Sequence, residues 1–271
     1  MDKRFKPYSW SILTAAGLVV ASTAFAQDIA SDANDYINPD RPGIADGSNV
    51  IDGGHFQIES GIQQEERNGG HDRTRFAPTL LRLGLDENWE LRAESNVYTW
   101  TKSNSSQGIV RNDGAAPASL GVKYHFMNSQ GVEQPSLGAI LRLFPASGSG
   151  DFQTHNVTGD FRLAADWDFA PDWSLNPNVG LARYEDSLQR LFTAGLFAMT
   201  LNYNPSKVLN FFVDTGVQSP EARHGKTAAI YDAGVAYIVG HEIQLDFSIG
   251  TGASGAAPPH PFVSAGISKR F

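Results

Sequence analysis

From Gly54 onward, apolar and polar residues alternate in stretches of about ten, each closed by a turn. In one stretch Trp89, Leu91, Ala93, Ser95, Val97 and Thr99 alternate with Glu90, Arg92, Glu94, Asn96 and Tyr98. A period of two sends these sets to opposite faces of a strand. Leu120, Val122, Tyr124 and Phe126 repeat the pattern, as do Phe161, Leu163, Ala165 and Trp167, and Ile243, Leu245, Phe247 and Ile249. The last stretch sets Val263, Ala265, Ile267, Lys269 and Phe271 against Ser264, Gly266, Ser268 and Arg270. About twelve such strands are expected, near 54–65, 73–86, 88–101, 117–127, 135–145, 157–169, 173–185, 190–203, 209–218, 227–239, 241–251 and 261–271. Pro78 and Pro177 weaken two of them, because proline donates nothing to a ladder. No apolar spacing of helical period is long enough to demand a helix in this part of the chain.

The connectors alternate in length. Short ones fall at 86–88, 170–172, 204–207 and 240–241. Long ones, rich in Gly, Ser, Asn, Asp and His, fall at 66–72, 102–116, 146–156, 219–226 and 252–260. Those near 128–134 and 186–189 blur the contrast. Short turns on one side, long loops on the other and an even strand count describe an outer-membrane barrel. Trp89, Phe126, Trp167, Trp173, Tyr203, Phe211, Tyr237 and Phe271 stand at the short-turn ends. Phe76, Trp100, Phe144, Tyr184, Phe192 and Phe262 stand near the long-loop ends. Two girdles of aromatic side chains, one per interface, are therefore expected. The fold class is all-β: a single transmembrane antiparallel barrel, which satisfies every backbone group inside lipid. A soluble sandwich shares the alternation, and the loop asymmetry, the girdles and a secretory signal separate the two.

That signal is at the start. Lys3, Arg4 and Lys6 precede an apolar run over 12–21, and Ala24-Phe25-Ala26 makes a small-x-small cleavage site. The run is too short to span a membrane as a helix. Residues 1–26 are read as a signal peptide, 27–53 as an extended segment and 54–271 as the barrel. Composition narrows the function. The net charge of −8 argues against a nucleic-acid binder, which needs a basic surface. Without cysteine there are no disulfides, thiolate zinc sites or thiol catalysis.

The chain closes on Gly266-Ile267-Ser268-Lys269-Arg270-Phe271. A terminal phenylalanine on an alternating strand resembles the signature that barrel assembly machinery reads, so Phe271 is the expected assembly signal. Further motifs lie behind the signal peptide. Asp40-Arg41-Pro42-Gly43 is followed by Gln57-Ile58-Glu59-Ser60-Gly61, then by Pro78-Thr79-Leu80-Leu81-Arg82-Leu83-Gly84-Leu85 and Trp89-Glu90-Leu91-Arg92. These resemble an outer-membrane transporter family labelled "putative MetA pathway of phenol degradation". The resemblance covers the mature chain in outline and is sharpest over 38–97. It implies a barrel that moves small compounds, aromatic ones among them.

Parity places Glu59, Arg82, Arg92, Glu94, Lys123, Arg142, Asp160, Arg162 and Asp246 on the lumen side, with Glu90, Asp166, Asp214, Asp232, Glu242 and Arg270. A pore lining would use them to select solutes. Mutually neutralised pairs filling a narrow barrel would need the same residues, and this is the preferred reading for most of them. About twelve strands lie between the filled small barrel and the open porin, so a narrow passage is expected. The slight acidic excess leans it towards cations. Residues 27–53 carry no period; they fold into the lumen as a plug or hang in the periplasm.

A barrel hydrolase would need His and Ser two apart on a lipid-facing strand, and no His-x-Ser occurs. His71, His155, His224 and His260 sit in long loops, and no spacing suggests a metal. Three functions are weighed: a passive channel, a structural or surface-binding barrel with a plugged lumen, and a hydrolase. The first is preferred, with no cofactor and no catalysis. Its partners would be outer-membrane lipid, the assembly machinery and a small solute.

Overall fold

A computed structural model describes residues 36–106 and 108–271, so the expected signal peptide lies outside the described residues. Twelve strands run up and down around one closed sheet, three of them interrupted once. They are β1 (Phe56–Arg67), β2 (Asp72–Phe76 and Thr79–Gly84), β3 (Trp89–Ser95 and Tyr98–Ser105) and β4 (Gly108–Ala115 and Ala118–Met127). Next come β5 (Ser136–Phe144), β6 (Thr158–Ala170), β7 (Trp173–Glu185) and β8 (Leu191–Ser206). The last are β9 (Leu209–Ser219), β10 (Ala228–Val239), β11 (Ile243–Ser254) and β12 (Phe262–Arg270). Neighbours pair antiparallel throughout, and β12 returns to β1 from Gln57↔Arg270 to Glu65↔Phe262. Past the last strand, the Phe271 N–H donates to the Phe56 carbonyl at 2.8 Å. The ring therefore has no free edge, as lipid requires.

Burial runs opposite to that of a water-soluble protein. Phe247 and Ile249 are about half exposed, whereas Glu59, Glu90, Lys123 and Arg142 are wholly buried. Such a pattern has one physical solution: the apolar set faces lipid and the charged set faces the lumen.

The three interruptions lie side by side, at Ala77-Pro78, Asn96-Val97 and Ala116-Pro117. Two prolines remove ladder donors there, and Val97 takes a φ of +48°. The gap is stitched by Ala77 N–H to the Asn96 carbonyl (3.3 Å) and Ala116 N–H to the Val97 carbonyl (3.0 Å). Beyond it the sheet continues. Most of 102–116, expected as a loop, is the tip of the β3–β4 hairpin, paired from Tyr98↔Ala115 to Ser105↔Gly108. Its small polar residues hid the alternation. Pro177 stays within β7, opposite Met199 of β8.

One girdle forms and the other does not. Trp89, Phe126, Trp167, Trp173, Tyr203, Phe211, Tyr237 and Phe271 are all exposed at the short-turn end. At the long-loop end only Trp100 faces outward among those named above. Phe76 and Phe262 are buried inside, and Phe144, Tyr184 and Phe192 share the inward parity of Arg142, Ala182 and Ala194. Aliphatic residues such as Ile62, Leu143 and Leu181 hold the outer belt there.

Candidate functional site: the barrel lumen

Residues 36–53 enter and leave the lumen at the short-turn end. Tyr36 stacks on His241 with ring centroids 4.6 Å apart, and the Ile37 N–H donates to the His241 carbonyl. The exit is fixed where the Gly54 N–H donates to the Gly84 carbonyl at 3.0 Å. Two wall glycines make room for this segment. A Cβ on Gly84 would stand 2.1 Å from the Asp52 carbonyl oxygen, and one on Gly138 would stand 2.4 Å from that of Ser48.

The wall of β1–β6 meets the segment through interlocked ion pairs. Arg82 holds Glu90 at 2.8 Å and Glu59 at 3.0 Å, and donates to the backbone carbonyls of Asn38 and Asn49. Glu59 in turn accepts the backbone N–H of Arg41 at 2.8 Å and Gln57 Nε2 at 2.8 Å. Arg92 spans Glu94 at 3.0 Å, Asp46 at 3.0 Å and Asp40. Lys123 reaches Asp40 at 2.9 Å and the Asn49 carbonyl at 3.1 Å. Arg142 holds Asp160 at 2.8 Å and Glu94 at 3.2 Å, and Arg162 holds Asp46 at 3.2 Å. Across the lumen, Arg41 pairs with Asp246 at 2.8 Å and accepts Gln244 Nε2 on its carbonyl at 2.9 Å. Of the inward residues expected from the sequence, Glu59, Arg82, Glu90, Arg92, Glu94, Lys123, Arg142, Asp160, Arg162 and Asp246 thus belong to one network. Its hubs on the segment, Asp40, Arg41 and Asp46, were not assigned a role. Their signal was present: charges standing in an otherwise unpatterned stretch.

Buried charges are tolerable only when each is met by partners, and here every cation just described has at least two oxygens. The wall of β7–β10 differs. Asn210 donates to Asn202 at 3.1 Å and to Asn204 at 2.8 Å, and Asn202 to Asn176. Asp214 and Asp232 stand directly opposite each other across β9 and β10. The Ile44 N–H donates to Asp214 at 3.1 Å, and neither carboxylate has an ion pair among the described residues.

Of the cavities that remain, two meet at the turn of the segment. The one at the short-turn end measures about 360 Å³ and is lined by Asn176, Thr200, Asn202, Asn210, Phe212 and Gln244 among others. The one at the long-loop end measures about 90 Å³, with Pro78, Leu80, Ile230, Phe262, Glu94 and Asp232 in its wall. Asp40, Arg41, Pro42 and Gly43 line both, so that turn is the barrier between them. The larger of these cavities has room for a small molecule. Among the described residues no three His, Asp or Glu gather into a metal site. His155 is engaged by Glu185 at 3.2 Å, and His260 by Thr251 at 2.6 Å.

Comparison with known proteins adds two findings. Residues 39–271 match the family described as "Putative MetA-pathway of phenol degradation". Among solved structures, an outer membrane channel from Pseudomonas putida F1 superposes with a TM-score of 0.65 at 11% identity, covering 87% of this chain and 100% of that one. The KdgM porin gives 0.51 at 11% identity, covering 79% and 99%. The β domain of the Bordetella autotransporter BrkA gives 0.50 at 14%, covering 81% and 100%. At such identities the likeness is one of fold, and the fold is the outer-membrane β-barrel. No curated protein matches the chain.

Proposed function

The chain belongs to the family described as "Putative MetA-pathway of phenol degradation", and from that premise we propose that it is a passive outer-membrane channel for small solutes, aromatic ones among them. One observation carries the reading. The long-loop cavity carries an apolar patch of Pro78, Leu80, Ile230, Pro259 and Phe262 beside Glu94 and Asp232, above a polar cavity faced by asparagines. An apolar patch with carboxylates beside it holds aromatic solutes, cationic ones above all, and a polar bore lets them leave. Inward aromatics at that end have no use as membrane anchors.

Within this reading the ion pairs of β1–β6 hold the segment against one wall, and the free path follows β8–β11. Its acids, Asp214 and Asp232, favour cations over anions. Residues 37–53 act as the constriction. The barrel does no catalysis, takes no cofactor, and reaches its membrane through assembly machinery that reads Phe271.

The test is flux into liposomes carrying the refolded protein. Neutral phenols cross bilayers unaided, so the probes are benzyltrimethylammonium, a non-aromatic quaternary ammonium of similar size, benzoate and a hexose. The aromatic cation should enter fastest, and Phe262→Ala should narrow its lead over the non-aromatic one. Entry of none of them above protein-free vesicles, by protein shown to be folded, would favour a plugged structural barrel.

A further inference from the structure

Most wall cations turn inward and are paired. A group on the projecting part of β2, β3 and β4 does the opposite. Strand register puts Glu66, Arg73, Lys102 and Arg111 in one cross-strand row, and Gln64, Arg75, Trp100 and Asp113 in the row beneath it. Lys102 and Arg111 have the parity of Trp100, which is half exposed on the outer surface. Arg73, Lys102 and Arg111 are therefore direct neighbours of like sign on one face. Such a row costs stability unless an anion lies across it. Glu66 pairs with Arg73 at 2.6 Å and accepts Gln64 Nε2 at 3.3 Å; Arg75 donates to Gln64 at 2.6 Å. Lys102 and Arg111 have no ion pair among the described residues.

Height identifies the anion. Trp100, in ring contact with Tyr98 at 4.9 Å, marks the lipid boundary at this end. Lys102 is two residues further along a tilted strand, about 5 Å above the tryptophan along the membrane normal. That is headgroup level in the outer leaflet, whose lipid is a phosphorylated glycolipid. Arginine forks match phosphate oxygens two at a time. We propose that the outward face of Arg73, Arg75, Lys102 and Arg111 binds the phosphate groups of lipid A, with Trp100 against its acyl chains. The site rests on the outer-membrane reading with the long loops outside, and is independent of whether the lumen conducts.

The experiment is native mass spectrometry of the refolded full-length barrel in detergent, titrated with bisphosphorylated lipid A, phosphatidylglycerol or inorganic phosphate. Channel conductance is recorded on the same preparations. Wild type should retain lipid A at least tenfold more tightly than phosphatidylglycerol, and the variant carrying K102E and R111E should lose that margin. Because the reversal relieves a row of like charges, the lipid-free variant should melt no lower than wild type and conduct equally. If the reversal blocks refolding, K102Q with R111Q gives the same readout. Equal retention of lipid A by wild type and variant would overturn the site. So would equal retention of the two lipids, which means a general anionic surface, or displacement of lipid A by millimolar phosphate. Loss of conductance with lipid A binding intact would count against the channel and leave this site standing.

Discussion

Ile249 and Leu245 lie on the same lipid-facing side of β11 at different depths. Leu245 is opposite Tyr237 of the short-turn girdle, whereas Ile249 is opposite Ala233, nearer the middle of the belt. Arginine at Ile249 should cost about 2–4 kcal/mol, and at Leu245 only about 0–1 kcal/mol. Equal losses in a urea titration into lipid vesicles would mean the belt is placed wrongly. A second residue lies outside the membrane. Burial opposes ionisation of Asp186, but hydrogen bonds from the Arg190 side chain and backbone and the Leu188 N–H outweigh it and hold its carboxyl below the usual aspartate range. Its folded value is the lower one, so the turn gains stability above the unfolded aspartate value and loses it as pH falls through the folded one. The carboxyl carbon of Asp186 should titrate by NMR below an ordinary aspartate; a midpoint at or above the ordinary value would contradict the arrangement. Parity made the inward charges legible without coordinates. The same rule applied to Phe262, which shares its face with Ser264 and Arg270, would have turned it inward too. Grouping it by position along the strand led to the wrong face.

Among the elements, the lumen segment was the least legible. Its backbone follows no period because its partners are wall residues up to about two hundred positions away, as Arg41 and Asp246 are. The part of the hairpin tip over 102–115 was hidden for another reason: outside lipid, a strand need not be apolar on either face. Contact between wall and segment can be measured at Gly138. Gly138→Val should destabilise the barrel by about 1–3 kcal/mol, because the new side chain meets the Ser48 carbonyl. In a protein lacking residues 37–52 the same change should be close to neutral, a coupling that a double-mutant cycle reads directly. An equal cost in both backgrounds would mean the strain lies in the wall. At the closing seam, Phe271 exchanges two backbone hydrogen bonds with Phe56 and its ring lies 6.2 Å from the Phe56 ring. Deleting Phe271 should lower the amount of folded barrel in the membrane; normal levels would count against its role as the assembly signal.

The whole molecule divides its lumen into two unlike walls. One is a dense lattice of ion pairs that fixes the inner segment. The other is a run of asparagines with two carboxylates that have no ion pair among the described residues. In the proposed function the apolar patch at the long-loop end, the polar cavity and the turn between them make a throttled passage. The barrel itself was readable from strand period and loop length, because lipid leaves few alternatives. What the sequence left open was whether the segment fills the lumen, since charge pairing across the barrel depends on which strands face each other. The most direct test of the passage is single-channel recording in a planar bilayer, comparing the intact chain with one lacking residues 37–52, both checked for folding by heat-modifiable gel mobility. The intact barrel should give small, cation-selective openings, and the shortened one should give conductance several-fold larger. Equal conductance from two folded proteins would contradict the account, because the segment would then not be what narrows the path.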